Sequence, residues 1–183
     1  MQNMPTCANC HSFSADGGRL SLDVDGPDGD KGAHAVVPTG QRMSIGRDDV
    51  FSWNAQRHSD PNATVSYGLF PRISPDGRYV AATIREQVYV QNYMDFRFLQ
   101  TFYPTRGVLA CYDTTDGKIA TLPGADDPAF VQSNPEWSPD GREILFIRAN
   151  ARDSYGKGPR ATRANDPNET QIQYDLYRIP FNG

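Results

Sequence analysis

The sequence predicts an all-β chain built as a β-propeller, with blades of four antiparallel strands. Three observations predict this. A Ser-x-Asp-Gly turn occurs three times, short apolar or alternating runs flank each copy, and 38% apolar residues with 16 Gly, 14 Pro and 9 Tyr in 183 residues suit strands and tight turns. No long window carries an apolar stripe at i, i+3, i+4 and i+7, so helix content should be low.

The first turn is Phe13-Ser14-Ala15-Asp16-Gly17-Gly18-Arg19-Leu20 and the second Ile73-Ser74-Pro75-Asp76-Gly77-Arg78-Tyr79-Val80. The third is Trp137-Ser138-Pro139-Asp140-Gly141-Arg142-Glu143-Ile144, and the serines lie 60 and 64 residues apart. Pro presets φ, Asp can hydrogen-bond its own backbone, and Gly accepts positive φ, so each copy reads as the turn of a hairpin. A second strand follows each turn, at Leu20 to Val24, Tyr79 to Ile84 and Ile144 to Ile147. Third strands are expected at Ala33 to Val37, Val108 to Tyr112 and Gln173 to Ile179, and fourth strands near Arg42 to Ile45 and Lys118 to Leu122. These elements divide the chain into an N-terminal segment 1–11 and blades at about 12–65, 66–133 and 134–183. The third blade stops at Phe181-Asn182-Gly183, before its fourth strand. Propellers close with about 4–8 blades. The expectation is therefore a part of a larger propeller, or one completed by other chains.

Cys7-Ala8-Asn9-Cys10-His11 has the form C-x-x-C-H, the attachment signature of a c-type haem. Two thiols at this spacing can form thioethers to the porphyrin edge, and the adjacent imidazole can ligate the iron from the proximal side. A zinc site would need a second ligand pair, but Cys111 stands alone, and His34 and His58 lack the spacing. A thioredoxin-like pair should precede a helix, and a disulfide across two residues would be strained. A redox pair, a disulfide and no cofactor remain as alternatives. Covalent haem is attached outside the bacterial cytoplasm, yet no export signal precedes Cys7. The expectation is a periplasmic or extracellular protein whose precursor is longer.

The repeated apolar-Ser-Pro-Asp-Gly segments resemble the TolB-like, WD-type propeller repeat, over nearly the whole chain. The first copy departs from the pattern, with Ala15 in place of Pro. Joined to C-x-x-C-H, the chain resembles bacterial exported cytochrome-like proteins that fuse this motif to such a propeller. The resemblance implies haem c held by Cys7, Cys10 and His11.

A low-spin haem needs a second axial ligand. His34, in the expected third strand of the first blade, is the nearest candidate; Met43, His58 and Met94 are others. The blades exceed the usual 40–45 residues because of insertions at 25–32, 85–107 and 150–170. The middle one holds Tyr89, Tyr93, Phe96, Phe98, Phe102 and Tyr103. That aromatic area should pack on a neighbouring blade, or line a haem or partner site. Asp23, Asp25, Asp28 and Asp30 form an acidic turn interrupted by Pro27, which suits solvation better than calcium. Cys111 reads as a buried apolar thiol.

Net charge is −4 and no basic stripe exists, which argues against nucleic acid. No run of eighteen apolar residues exists, so no membrane span is expected. There is no nucleophile elbow, phosphate loop or H-E-x-x-H. Three functions compete. The first is a periplasmic haem protein for electron transfer or redox sensing, with a redox or envelope protein partner. The second is a non-redox propeller that binds envelope proteins, and the third is a peroxidase-like haem enzyme with an open iron site.

Overall fold

The Ser-x-Asp-Gly segments fold as one hairpin device, used three times. In the computed structural model, which describes residues 8–55, 64–94, 97 and 99–183, Ser14, Ser74 and Ser138 donate to Asp16, Asp76 and Asp140 at 2.5–2.6 Å. Each Asp accepts the N–H two residues on, from Gly18, Arg78 or Arg142, at 2.8–3.2 Å. Each serine oxygen accepts the N–H five residues on, at 2.9 Å. Gly17, Gly77 and Gly141 stand at φ of 69°, 75° and 70°, where a Cβ would be strained. Ala15 takes the place of Pro without changing the turn, because the Asp and Gly carry its geometry.

The first blade is a four-stranded antiparallel sheet in the order β1 (Ala8–Phe13), β2 (Arg19–Val24), β3 (Ala33–Pro38) and β4 (Val50–Ser52). The second contains β5 (Leu69–Ile73), β6 (Tyr79–Asn92), β7 (Gln100–Asp113) and β8 (Ile119–Thr121); the third contains β9 (Phe130–Trp137), β10 (Glu143–Asn150) and β11 (Asp175–Pro180). One parallel pair, Gly107 with Val131, joins β7 to β9 and makes the last two blades one seven-stranded sheet. Strand accounts for 47% of the described residues and helix for 4%.

Two expectations are corrected. The fourth strand of the first blade is Val50–Ser52, not the region near 42–45, since β3 pairs through His34 with Phe51. Ile45 instead packs on Leu22, Val24, Ala33 and Ala35 on the face of that sheet, so its segment covers the face rather than extending the edge. The first strand begins at Ala8, so the C-x-x-C-H motif runs into the first blade. Finally, much of the 85–107 insertion is strand: β6 and β7 pair as far as Asn92 with Gln100 in a long ribbon.

Two cores lie between blades. Val36 and Trp53 of the first blade meet Ile73, Val80, Ala82, Ile84, Val108 and Ala110 of the second. On the opposite face of β6 and β7, Ala81, Leu109 and Cys111 meet Ile144, Phe146 and Ile179 of the third. Strand alternation explains the division, since neighbours along β6 point to opposite sides. Both faces of the second blade are thus covered, which is why its strands are near-continuously apolar. The matching positions before each turn differ in burial: Ile73 is buried, Trp137 half-buried, and Phe13 exposed, because among the described residues no blade packs on its side of the first sheet.

Candidate functional site

The C-x-x-C-H motif runs into β1, the first strand of the first blade. Its register against β2 shifts between Asn9 and His11, which makes Cys10 the extra residue of a β-bulge. His11 pairs with Leu22 and so shares the face of Leu22 and Phe13; its exposed ring meets Phe13 edge-on at 6.1 Å. The Cys10 thiol is half-buried beside Asp23, on the other face. Burial and the Asp23 carboxylate raise its pKa above the ordinary thiol value.

Asp23 also anchors His34. The His34 Nδ1 lies 2.7 Å from Asp23 Oδ1, and Nε2 lies 2.6 Å from Ser21 Oγ. A neutral ring satisfies both, donating from Nδ1 to the carboxylate and accepting the serine hydroxyl at Nε2. His34 is fully buried, with the Phe51 and Trp53 rings of the same blade at 5.3 and 6.4 Å. To act as the sixth iron ligand, as the sequence suggested, His34 would have to give up its bond to Ser21 or to Asp23. Both ring nitrogens are engaged, and the ring lies on the face opposite His11. The side chains form a chain from Cys10 through Asp23 and His34 to Ser21. It has the members of a Ser-His-Asp triad, but Ser21 is fully buried, so no substrate can reach its hydroxyl.

Of the other candidates, Met43 and Met94 are exposed, and neither is among the residues that pack the cores. Cys7 and His58 lie outside the described residues, as do Phe96 and Phe98. The acidic turn is engaged by protein donors: Asp30 accepts from Ser52, Asn54 and the Gly32 N–H, and Asp25 pairs with Lys31 at 2.8 Å. Among the described residues, no cluster of three His, Cys, Asp or Glu could hold a metal ion.

The donor set fits a c-type haem in chemistry, with an open imidazole at His11 and a free thiol at Cys10. Their opposite faces show what attachment demands. Residues 8 and 9 would have to leave their pairing with β2 for the Cys10 thiol to reach the edge of a porphyrin whose iron His11 would ligate.

No protein-family model and no curated protein matches this chain. Its architecture is similar to that of TolB from Acinetobacter baumannii, at 12% identity and a TM-score of 0.45, over 96% of this chain and 30% of that one. It is similar also to the tricorn protease, at 11% identity and a TM-score of 0.44, over 100% of this chain and 18% of that one. A putative TolB from Agrobacterium tumefaciens is similar at 15% identity and a TM-score of 0.34, over 97% of this chain and 59% of that one. The chain thus spans less than two thirds of the length of each.

The aromatic insertion packs on the third blade. Tyr89 and Tyr103 stack at 5.0 Å, and with Tyr93 they enclose Ala161 and Ala164 of the 150–170 insertion. The Tyr103 hydroxyl donates to the Thr170 carbonyl at 2.7 Å, and the Tyr174 hydroxyl to the Pro104 carbonyl. Burial raises the pKa of Tyr174 to about 12. Cys111 is buried as expected, and its thiol pKa is raised to about 12.

Sequence reasoning missed Ser21 and Asp23 as partners of His34. Their i, i+2 spacing on β2 put them on one face, but only the register with β3 places His34 opposite. It also missed Glu86, which is buried at the blade junction. Its Oε1 accepts the Tyr67 N–H, Oε2 has no partner, and burial raises its pKa to about 7. No pattern marked it, since a charged residue in a strand ordinarily faces water.

Proposed function

We propose that this chain is a c-type haem-bearing propeller protein of the bacterial periplasm, serving electron transfer or redox sensing. Cys7 and Cys10 carry the porphyrin and His11 ligates its iron from the proximal side. The reading is carried by one feature, Cys7-Ala8-Asn9-Cys10-His11 at the start of the first strand, with the His11 ring exposed. A haem iron in this position supplies one-electron chemistry. The protein's own residues supply the rest: the bulge at Cys10 interrupts the ladder, and Asp23 stands beside the thiol. A periplasmic location follows from where such haems are attached. No helix among the described residues is long and apolar enough to cross a membrane. With a net charge of −4, a redox or envelope protein partner is expected to be neutral or basic at its contact face.

Expression in a host with a periplasmic haem-attachment system tests this. The expected result is haem that survives acidic acetone, with a pyridine haemochrome band near 550 nm, roughly as for any two-thioether haem. Loss of that band in Cys10→Ala is expected as well. An iron-free protein overturns the reading.

A second reading is a non-redox propeller that binds envelope proteins. It is favoured by the Cys10 thiol packed against Asp23 on the face opposite His11, as a structural thiol would be. Partner capture that survives Cys7→Ala and Cys10→Ala in an iron-free protein supports it. A peroxidase-like enzyme has less support, because the imidazole of His34 is already occupied on both nitrogens.

A further inference from the structure

The chain is acidic overall, yet residues 148–163 carry Arg148, Arg152, Lys157, Arg160 and Arg163 against the single acid Asp153. The fold brings this basic segment onto the β6–β7 ribbon. Between them lies a cavity of about 470 Å³ lined by Arg106 of β7 and by Arg152, Asp153, Gly156, Thr170 and Gln171. That volume is in the range of small-molecule sites.

The walls are already built. The Arg152 N–H donates to the Thr105 carbonyl at 3.0 Å, and the Ser154 and Thr105 hydroxyls meet at 2.8 Å. The Thr170 hydroxyl donates to the Ser154 carbonyl at 2.8 Å and so closes the base of the loop. A cleft held this way needs little ordering when a ligand enters.

The cations of the segment divide by what holds them. Arg148 stacks on Phe130 at 3.5 Å and Arg160 on Tyr155 at 3.6 Å. Arg106 reaches Asp153 at 3.0 Å with one nitrogen of its fork. Arg152 lines the cavity, and its side chain forms no ion pair among the described residues. Two arginines and one carboxylate thus line one concave surface, with one of the arginines paired to the carboxylate. Planar forks of this kind match the oxygens of carboxylate and phosphate.

We propose that this cleft binds a small ligand through an oxyanion, carboxylate or phosphate, gripped by Arg152 with Arg106 in support. Asp153 acts as a built-in competitor, occupying Arg106 when the cleft is free. The site is independent of the haem motif, so it stands whether or not the chain carries haem.

Calorimetric titration of the whole chain at low salt, with inorganic phosphate and with citrate as probes, tests the proposal. Saturable binding of at least one probe is expected, and the tighter one identifies the oxyanion class. Arg152→Ala should weaken it roughly tenfold or more, as loss of a charge-assisted hydrogen bond does, while the backbone bond to Thr105 survives. Asp153→Asn should tighten it, because it frees Arg106. Arg42→Ala, an exposed arginine of the first blade, removes the same charge and should leave the affinity unchanged. The proposal is overturned if neither probe saturates, if Arg42→Ala weakens binding as much as Arg152→Ala, or if Asp153→Asn weakens it.

Discussion

His34 shows what a single buried polar side chain demands of its neighbours. Its two nitrogens are satisfied by Ser21 and Asp23, and removing the ring would leave a buried hydroxyl and a carboxylate without their partner. His34→Ala should therefore cost about 3 kcal/mol, from the lost contacts and the unsatisfied serine together. Urea denaturation measures it, and a loss under about 1 kcal/mol would mean that the network does not stabilise the first blade. In a haem-loaded protein the same variant should leave the visible spectrum unchanged if His34 keeps these two bonds, and a shift to high spin would make it the sixth iron ligand. Glu86 makes the opposite case, a buried acid that is only half satisfied. Its folded pKa of about 7 lies above the ordinary carboxyl value of 4.5, so the folded state holds the proton more tightly than the unfolded state. Stability should then fall as pH rises from about 4.5 to 7 and level off above, by up to about 3 kcal/mol from this group. Glu86→Gln should remove that fall and be the more stable form at pH 8. Equal pH profiles for the two proteins would refute this. At this scale the chemistry of His11 and Cys10 was legible from their spacing. The roles of His34 and Glu86 were not, because each depends on which strands lie opposite.

The elements follow two kinds of signal. The three turns were legible because a Ser, an Asp and a Gly at fixed spacing satisfy one another locally, and nothing distant is needed. The fourth strand of the first blade was not, because Val50–Ser52 is short and its pairing is set by the exposed edge of β3. The 85–107 region looked like a loop for a related reason. Its ribbon carries bulges near Gln87, and Gly107 sits at φ 149°, where a Cβ would fall 2.5 Å from Thr83 Cγ2. Trp137 illustrates the cost of an element junction. It is half-buried, meets Phe181 at 4.8 Å, and donates from Nε1 to the Arg72 carbonyl at 3.0 Å. Trp137→Ala should cost about 2–4 kcal/mol, less than a fully enclosed tryptophan. Thermal denaturation checks this, and a Tm within a degree of wild type would place the ring outside the core between β5 and β9.

Over the whole molecule, the second blade is covered on both faces, while the flanking blades expose apolar groups. Leu176 on β11 is 72% exposed and Phe13 on β1 is 54% exposed. Among the described residues no strand pairs with the outer side of β11, so its edge can take another strand. The 183-residue chain studied alone should associate as its concentration rises, and Leu176→Lys should reduce this by placing a charge on that edge. Light scattering reads the mass, and a monomer at every concentration would refute the expectation. The sequence by itself determined the all-β class, the three-fold turn device and the haem-type motif, because each rests on residues close together in the chain. Only the tertiary structure decided that His34 is buried with both nitrogens engaged, that Cys10 and His11 face opposite ways, and that Arg106 and Arg152 line one cleft. Those outcomes depend on register and on packing between blades, where a shift of one residue turns every side chain to the other face.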